Sequence, residues 1–192
     1  YKRFSNDSLK FFEFFTTNFS SNVRTTNRVE LLTNIVNQQF ERDVQISHRI
    51  VTVNVRSTQG MDPYPAACPP PPPPVPCTTG TAFVTAVQNE WLTNPNLTTI
   101  NRDFVHLFTG DFGFIPPQGT IGEVFAIGSV CNINTHYSWS TDTWGGPQPG
   151  CSQSLAGCTD LIAHEWGHLW NANHCLQQDI DGDGVFDNVG CS

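Results

Sequence analysis

The order of apolar and polar positions divides the chain into segments before any chemistry is considered. Leu9 to Phe15 is a largely apolar run, interrupted by Lys10 and Glu13 before the polar Thr16, and reads as a strand. From about Arg24 to Arg42, Val29, Leu32, Ile35, Val36 and Phe40 recur at intervals of three and four, so they share one face of a helix whose other face is Asn, Gln, Glu and Arg. Gln45 to Val55 then changes to period two, with Ile46, Ile50, Val51, Val53 and Val55 supplying the β-branched side chains that suit a strand. Thr81 to Leu92 reads as a second helix with Phe83, Val84, Val87, Trp91 and Leu92 on one side, ended by Asn94-Pro95-Asn96. Asp103 to Thr109 and Thr120 to Ser129 read as strands, and a short strand follows Cys131 as far as Trp139. A last helix runs from Leu155 or Thr159 to Trp170, capped by Ser154 or Thr159. Strands alternating with helices predict an α/β layer structure.

One segment breaks the pattern. Between the second strand and the second helix, about 62–77, lies Asp62-Pro63-Tyr64-Pro65 and then an unbroken proline run from Pro69 to Pro74, flanked by Cys68 and Cys77. Proline lacks the backbone donor and clashes with a preceding turn, so neither a helix nor an inner strand passes through; the segment reads as an insertion held against the surface. As polyproline II the run spans roughly 19 Å. Disulfide-linked Cα atoms are about 4.4 to 6.8 Å apart, so a Cys68 to Cys77 bridge requires the residues outside the run to turn.

Composition narrows the class. The 192 residues are 38% hydrophobic, with 14 Phe and 5 Trp, enough for one domain-sized core. A net charge of -8, with Lys2 and Lys10 the only lysines, leaves no electrostatic footprint for nucleic acid or an anionic membrane. No apolar stretch reaches the roughly 20 residues of a membrane span. The chain opens at Tyr1 without a signal pattern, and is expected to be a processed or excised segment. Seven cysteines without CxxC pairs point to disulfides rather than a structural metal, and hence to a secreted or extracellular protein. The odd count leaves one cysteine unpaired, paired with another chain, or paired with a residue beyond this segment. Sequons at Asn6, Asn18 and Asn96 are glycosylation candidates that agree with this.

The chemistry is concentrated in His164-Glu165-Trp166-Gly167-His168, followed by His174. On a helix His164 and His168 lie one turn apart on one side, where both imidazoles reach one metal ion, and Glu165 sits beside them. A continuing helix would carry His174 to the wrong side; a turn just after Trp170 brings it back, and Asn171 suits that turn because asparagine enters the left-handed region readily. Three neutral imidazoles leave a zinc position open for water, which marks a catalytic site. The expected zinc ligands are therefore His164, His168 and His174, with Glu165 as general base for a zinc-activated water. His48, His106 and His136 are expected to be ordinary core or surface residues.

At these residues the chain resembles the metzincin clan of zinc endopeptidases, and within it the adamalysin or reprolysin-like group of secreted proteases. Their signature HExxHxxGxxH is matched from His164 to His174, except that Asn171 takes the glycine position. Leu107-Phe108-Thr109-Gly110, Thr120-Ile121-Gly122 and Ala126-Ile127-Gly128-Ser129-Val130-Cys131 resemble the segment that leads through that family's edge strand to a disulfide cysteine. The resemblance implies a metzincin-like zincin fold, α/β or α+β, with a twisted mixed five-stranded sheet, packed helices and an active-site helix. It further implies a single metalloprotease catalytic domain over 1–192 and a polypeptide substrate extended along the edge strand at Ile121, Gly122, Glu123, Val124 and Phe125. Backbone pairing of that kind binds a peptide whatever its side chains. A calcium site at Glu13, Asp103 and the Cys191 carbonyl is also implied; the alternative is that Glu13 and Asp103 are surface carboxylates. The family's methionine turn has no counterpart, because Met61 is the only methionine and precedes the proline run. The segment is expected to stop short of that turn, with the remainder missing or carried as a separate chain.

A second metal is suggested after His174. Asp179, Asp181, Asp183 and Asp187 fall at positions 1, 3, 5 and 9 of a calcium-loop pattern, with Gly184 at 6, the Val185 carbonyl at 7, and Gly190 where an EF-hand has glutamate at 12. The full EF-hand reading fails, and a weaker acidic calcium turn is expected. The sequence thus predicts a zinc endopeptidase of extracellular proteins, with calcium as a further cofactor. Its rival is a catalytically weak or inactive protease-like domain serving as a structural or adhesive extracellular module.

Overall fold

The computed structural model describes residues 8–14, 22–56, 64, 80–109, 121–141 and 155–173. The proline run, Asn6, Asn18, His174, the acidic loop and Cys191 lie outside them. The elements in order are β1 (Ser8–Phe14), α1 (Asn22–Val44), β2 (Arg49–Arg56), α2 (Gly80–Thr93), α3 (Pro95–Thr98), β3 (Val105–Thr109), β4 (Gly122–Val124), β5 (Tyr137–Thr141) and α4 (Leu155–Leu169). One mixed sheet takes the order β2-β1-β3-β5-β4. Its strands pair in parallel except β4, which runs antiparallel to β5 and forms an edge.

Helices cover both faces, and the pleat of β3 shows how. Phe104, just before the strand, and Phe108 join Val29, Leu32 and Val36 of α1 and Ile162, Trp166 and Leu169 of α4 in one core. Val105 and Leu107 point the other way, to Phe83, Val84, Val87 and Trp91 of α2, with Tyr137 and Trp139 of β5 beside them. Tyr64, from the proline-rich insertion, is buried in this second core, where its hydroxyl donates to Glu90 Oε2 at 2.5 Å and Arg56 pairs with the same carboxylate. Among the described residues no helix is long and apolar enough to cross a membrane.

The departures from the expected elements have local causes. The strand expected from Gln45 begins only at Arg49, because Gln45 closes α1 at φ 59° with the Ile46 amide bonded back to the Phe40 carbonyl. Asn94-Pro95-Asn96 ends α2 and also starts α3: Asn94 is its N-cap and Pro95 occupies the first turn. The strand expected over 120–129 is confined to Gly122–Val124, since the Gly128 and Val130 amides turn away to the His168 and Leu169 carbonyls at the end of α4. Ile121 and Phe125 nevertheless extend its pairing, through Thr141 N to Ile121 O and Phe125 N to Tyr137 O, each 2.8 Å. The strand after Cys131 starts at Tyr137, because residues 131–136 form turns bonded around Asn132. Thr159 does not cap α4; it is buried within it and donates back to the Leu155 and Ala156 carbonyls.

His48, His106 and His136 are buried, and burial lowers His48 and His136 to about 4 and His106 to about 3. His106 spans Ser138 and Ser140, 2.8 Å from each hydroxyl, and His136 Nε2 accepts from Arg102 at 3.2 Å. These bonds suit neutral rings. The unfolded imidazole titrates near 6.5, so the contribution of the neutral rings is complete above that pH and is lost as pH falls through the folded values. The urea-unfolding free energy should decline below pH 6.5, by up to about 1.4 kcal/mol per pH unit for each ring. A value unchanged between pH 6.5 and 4.5 would show that the rings take protons without opening the core.

Candidate functional site

Helix α4 presents different chemistry on different sides. Cys158, Ile162, Trp166 and Leu169 are buried against α1 and the sheet, and Cys158 is disulfide-bonded, its partner lying outside the described residues. Trp166, inside the histidine motif, packs at ring-centroid distances of 4.8 Å from His48, 5.5 Å from Phe104 and 5.9 Å from His106. Anchoring that side leaves His164 and His168 together on the flank facing the cleft.

Their rings lie 4.4 Å apart at 79°, with the two Nε2 atoms separated by 2.9 Å. His168 Nδ1 is 2.7 Å from the Ala172 carbonyl. A carbonyl only accepts, so Nδ1 carries the proton and the Nε2 lone pair turns to His164, the outer-shell arrangement that prepares an imidazole for a metal. Glu165 is buried against the edge strand. A Cβ built at Gly122 would stand 2.5 Å from its Oε1 and 2.9 Å from its Cγ, so the carboxylate occupies space that any other residue at 122 would take. Burial first, and the nearby Glu123 second, push Glu165 up to about 8. A divalent cation at the imidazoles would oppose that shift. The edge strand and the following loop, residues 121–127, join Leu161, His164, Glu165 and His168 around an open cleft of about 660 Å³.

The end of α4 determines where the chain goes after His168. Asn171, at φ 78°, closes the helix with its amide on the His168 carbonyl (3.0 Å) and the Ala172 amide on that of Gly167 (2.8 Å), a Schellman turn at the position expected from the sequence. Gly128, at φ 70°, lets the loop after β4 approach this turn; a Cβ there would meet Asn171 Oδ1 at 2.8 Å. His48 braces the same turn. Trp170 Nε1 donates to His48 Nε2 at 3.0 Å, and His48 Nδ1 lies 2.8 Å from Asn37 Oδ1 on α1. The sequence reading treated His48 as an ordinary residue, and the only signal against that was an indole N–H at Trp170 that would need an acceptor once partly buried.

The other candidates are placed as follows. Ile121 to Phe125 line the cleft along the sheet edge. Asn96 is exposed on α3. The register of β1 sets Glu13 opposite Phe108, and Asp103 precedes β3, where its backbone carbonyl accepts the Cys131 amide at 2.8 Å. Among the described residues no group of three or more His, Cys, Asp or Glu side chains is arranged to hold a metal. His174, the expected third ligand, and Asp179, Asp181, Asp183, Val185, Asp187 and Cys191 lie outside them.

Comparison with known proteins bears on this arrangement. The reprolysin-type model of metallo-peptidase family M12 matches residues 12–192. No curated protein matches. Among solved structures, metalloproteinase-II from Bacteroides fragilis aligns with a TM-score of 0.49 and 16% identity, over 88% of this chain and 43% of that one. The chain thus spans less than half the length of that protein.

Two substitutions test the geometry. Trp170→Phe keeps the ring but removes the donor to His48, and should cost about 1 kcal/mol of stability. Hydrogen exchange should quicken first at the Asn171 and Ala172 amides; unchanged exchange there would show that the brace does not hold the turn. Gly122→Ala should drive Glu165 off the strand and into water. In the metal-free protein its titration, followed by carboxyl NMR, should then fall from about 8 towards the ordinary carboxylate range. A value still near 8 would mean that strand contact is not what buries it.

Proposed function

The chain belongs to metallo-peptidase family M12, and from that premise we propose that it is a zinc-dependent endopeptidase of metzincin-like zincin fold, with residues 1–192 forming one catalytic domain. The observation that carries this reading is the convergence of His164 and His168 at 2.9 Å, with His168 Nδ1 committed to a carbonyl and Glu165 alongside. Two imidazole nitrogens brought this close together fit a borderline cation such as zinc, and His174 would be the third ligand. When bound, zinc supplies a Lewis acid that polarises the scissile carbonyl and acidifies water. Glu165 accepts the proton that the attacking water gives up and returns it to the leaving amine. Its burial against Gly122 places the base beside the strand on which the substrate would lie.

The substrate class of a peptidase family is the polypeptide. Among the described residues no strand neighbours the outer side of β4, so an extended peptide can add there through its backbone while its side chains meet the cleft. The disulfide at Cys158 and the exposed sequon at Asn96 support an extracellular setting. The acidic loop remains the proposed calcium site, through Asp179, Asp181, Asp183, Asp187 and the Val185 carbonyl, because closely spaced carboxylates repel one another without a cation.

A second reading has its own observation. The described residues bring together two imidazoles and one carboxylate but no third metal ligand, which by itself supports a metallopeptidase-like module more fully than a working zinc centre. That reading is a structural or adhesive extracellular domain with little or no catalysis. Zinc stoichiometry and hydrolysis of an unfolded polypeptide separate the two. For the endopeptidase, the full chain should bind one zinc per molecule and cleave, His174→Ala should lose the zinc, and Glu165→Gln should keep it while activity falls by at least about 100-fold. A zinc-loaded unaltered chain that cuts nothing would establish the module instead.

A further inference from the structure

We propose that Glu123 is a specificity-determining residue that selects a lysine or arginine side chain on the substrate strand. The inference deepens the peptidase reading and rests on it. It follows from which way the edge strand points its side chains. Gly122 faces α4, where its missing side chain makes room for Glu165, and Val124 packs against the core beneath α4. Glu123 therefore stands on the opposite face of the sheet, where Thr81 Oγ1, in the first turn of α2, donates to its Oε1 at 2.8 Å. On the inner side of β4 its cross-strand neighbour is Trp139. On the outer side that position belongs to whatever strand adds to the edge.

The residue of an added strand directly opposite Glu123 would share its face, with Cβ atoms about 4.5 to 5.5 Å apart. Opposite charges at such positions attract and like charges repel. Among the described residues lining the cleft, Glu123 and Glu165 are the only carboxylates and no lysine or arginine is present, while Ile121 and Phe125, two positions either side of Glu123, set apolar side chains on its own face of the strand. That combination suits a long basic side chain, whose methylene stem lies on apolar surface while its charge reaches the carboxylate. The chain's net charge of -8 reinforces the preference.

A purely structural role is the competing account: Glu123 would only tie β4 to the start of α2. Glu123→Gln separates the two, because the amide oxygen still accepts from Thr81 while the charge is gone. The experiment uses the zinc-loaded full chain and matched peptides carrying Lys, Gln or Glu at each position around the scissile bond. At one position the kcat/KM ratio of Lys to Glu should be about five- to tenfold at low salt, shrinking as salt screens the pair. Glu123→Gln should bring that ratio close to one, and Glu123→Lys should invert it. A ratio unchanged in Glu123→Gln overturns the proposal and leaves Glu123 structural. The same peptides, fluorescently labelled, are also titrated against zinc-loaded Glu165→Gln. Selective binding of the Lys peptide that disappears in Glu123→Gln/Glu165→Gln supports the selectivity even if the unaltered chain cuts nothing, in which case only the endopeptidase reading fails. Hydrolysis without Lys preference fails the selectivity alone, and absence of both hydrolysis and selective binding fails both.

Discussion

The burial of Trp166 is the constraint on which the site depends. An indole placed in the middle of a metal-type motif forces α4 to lie with that residue under the sheet, between α1 and the rings of Phe104 and His106. Helical geometry then leaves no freedom for the others. His164 and His168 must share the flank beside the cleft, and Glu165 must face the edge strand. The core thus orients His164, Glu165 and His168 directly, through a residue one or two positions away from each of them in sequence. This is the arrangement in which a site held by a packed helix keeps its geometry better than one carried on a loop.

The edge strand completes the site by having too little side chain rather than too much. Gly122 lets the Glu165 carboxylate reach the strand, and Gly128 lets the following loop reach the turn at Asn171. Both contacts join the strand on which a peptide would add to the helix that carries the chemistry. Strand, Glu165 and helix terminus are therefore one mechanical unit, in which the Gly128 amide adds a second donor to the His168 carbonyl and the Val130 amide bonds the Leu169 carbonyl at the end of α4. Charge works in the same place. Burial of Glu165, and secondarily the field of Glu123, raise its proton affinity.

The brace formed by Asn37, His48 and Trp170 extends this unit to α1. Its bonds need a neutral imidazole, donating at Nδ1 and accepting at Nε2, and the aromatic enclosure of Phe40, Phe104 and Trp166 supplies the dry environment that keeps it neutral. The direction in which the chain leaves α4 towards residue 174 thus depends on a residue more than a hundred positions earlier in the sequence.

Local pattern determined most of the architecture. The intervals of Val29, Leu32 and Val36, the period-two run at Val51 to Val55, and Asn94-Pro95 each specify an element through backbone physics that acts over a few residues, and those elements formed with boundaries shifted by local turns. The histidine spacing was legible for the same reason: one helical turn brings His164 and His168 together wherever the helix sits, and Asn171 announced its left-handed turn through its own conformational preference. What the sequence could not settle was anything carried by pairing between distant segments. Only the sheet register sets Glu13 opposite Phe108; only the approach of β4 to α4 gives Gly122 its meaning; and only the packing of α1 against the end of α4 turns His48 from an anonymous core histidine into a brace. Periodicity encodes which face of an element is buried. It does not encode which partner lies across that face, because the hydrophobic effect that drives burial is non-directional and the choice of neighbour is made by shape and hydrogen bonding once the layers have met.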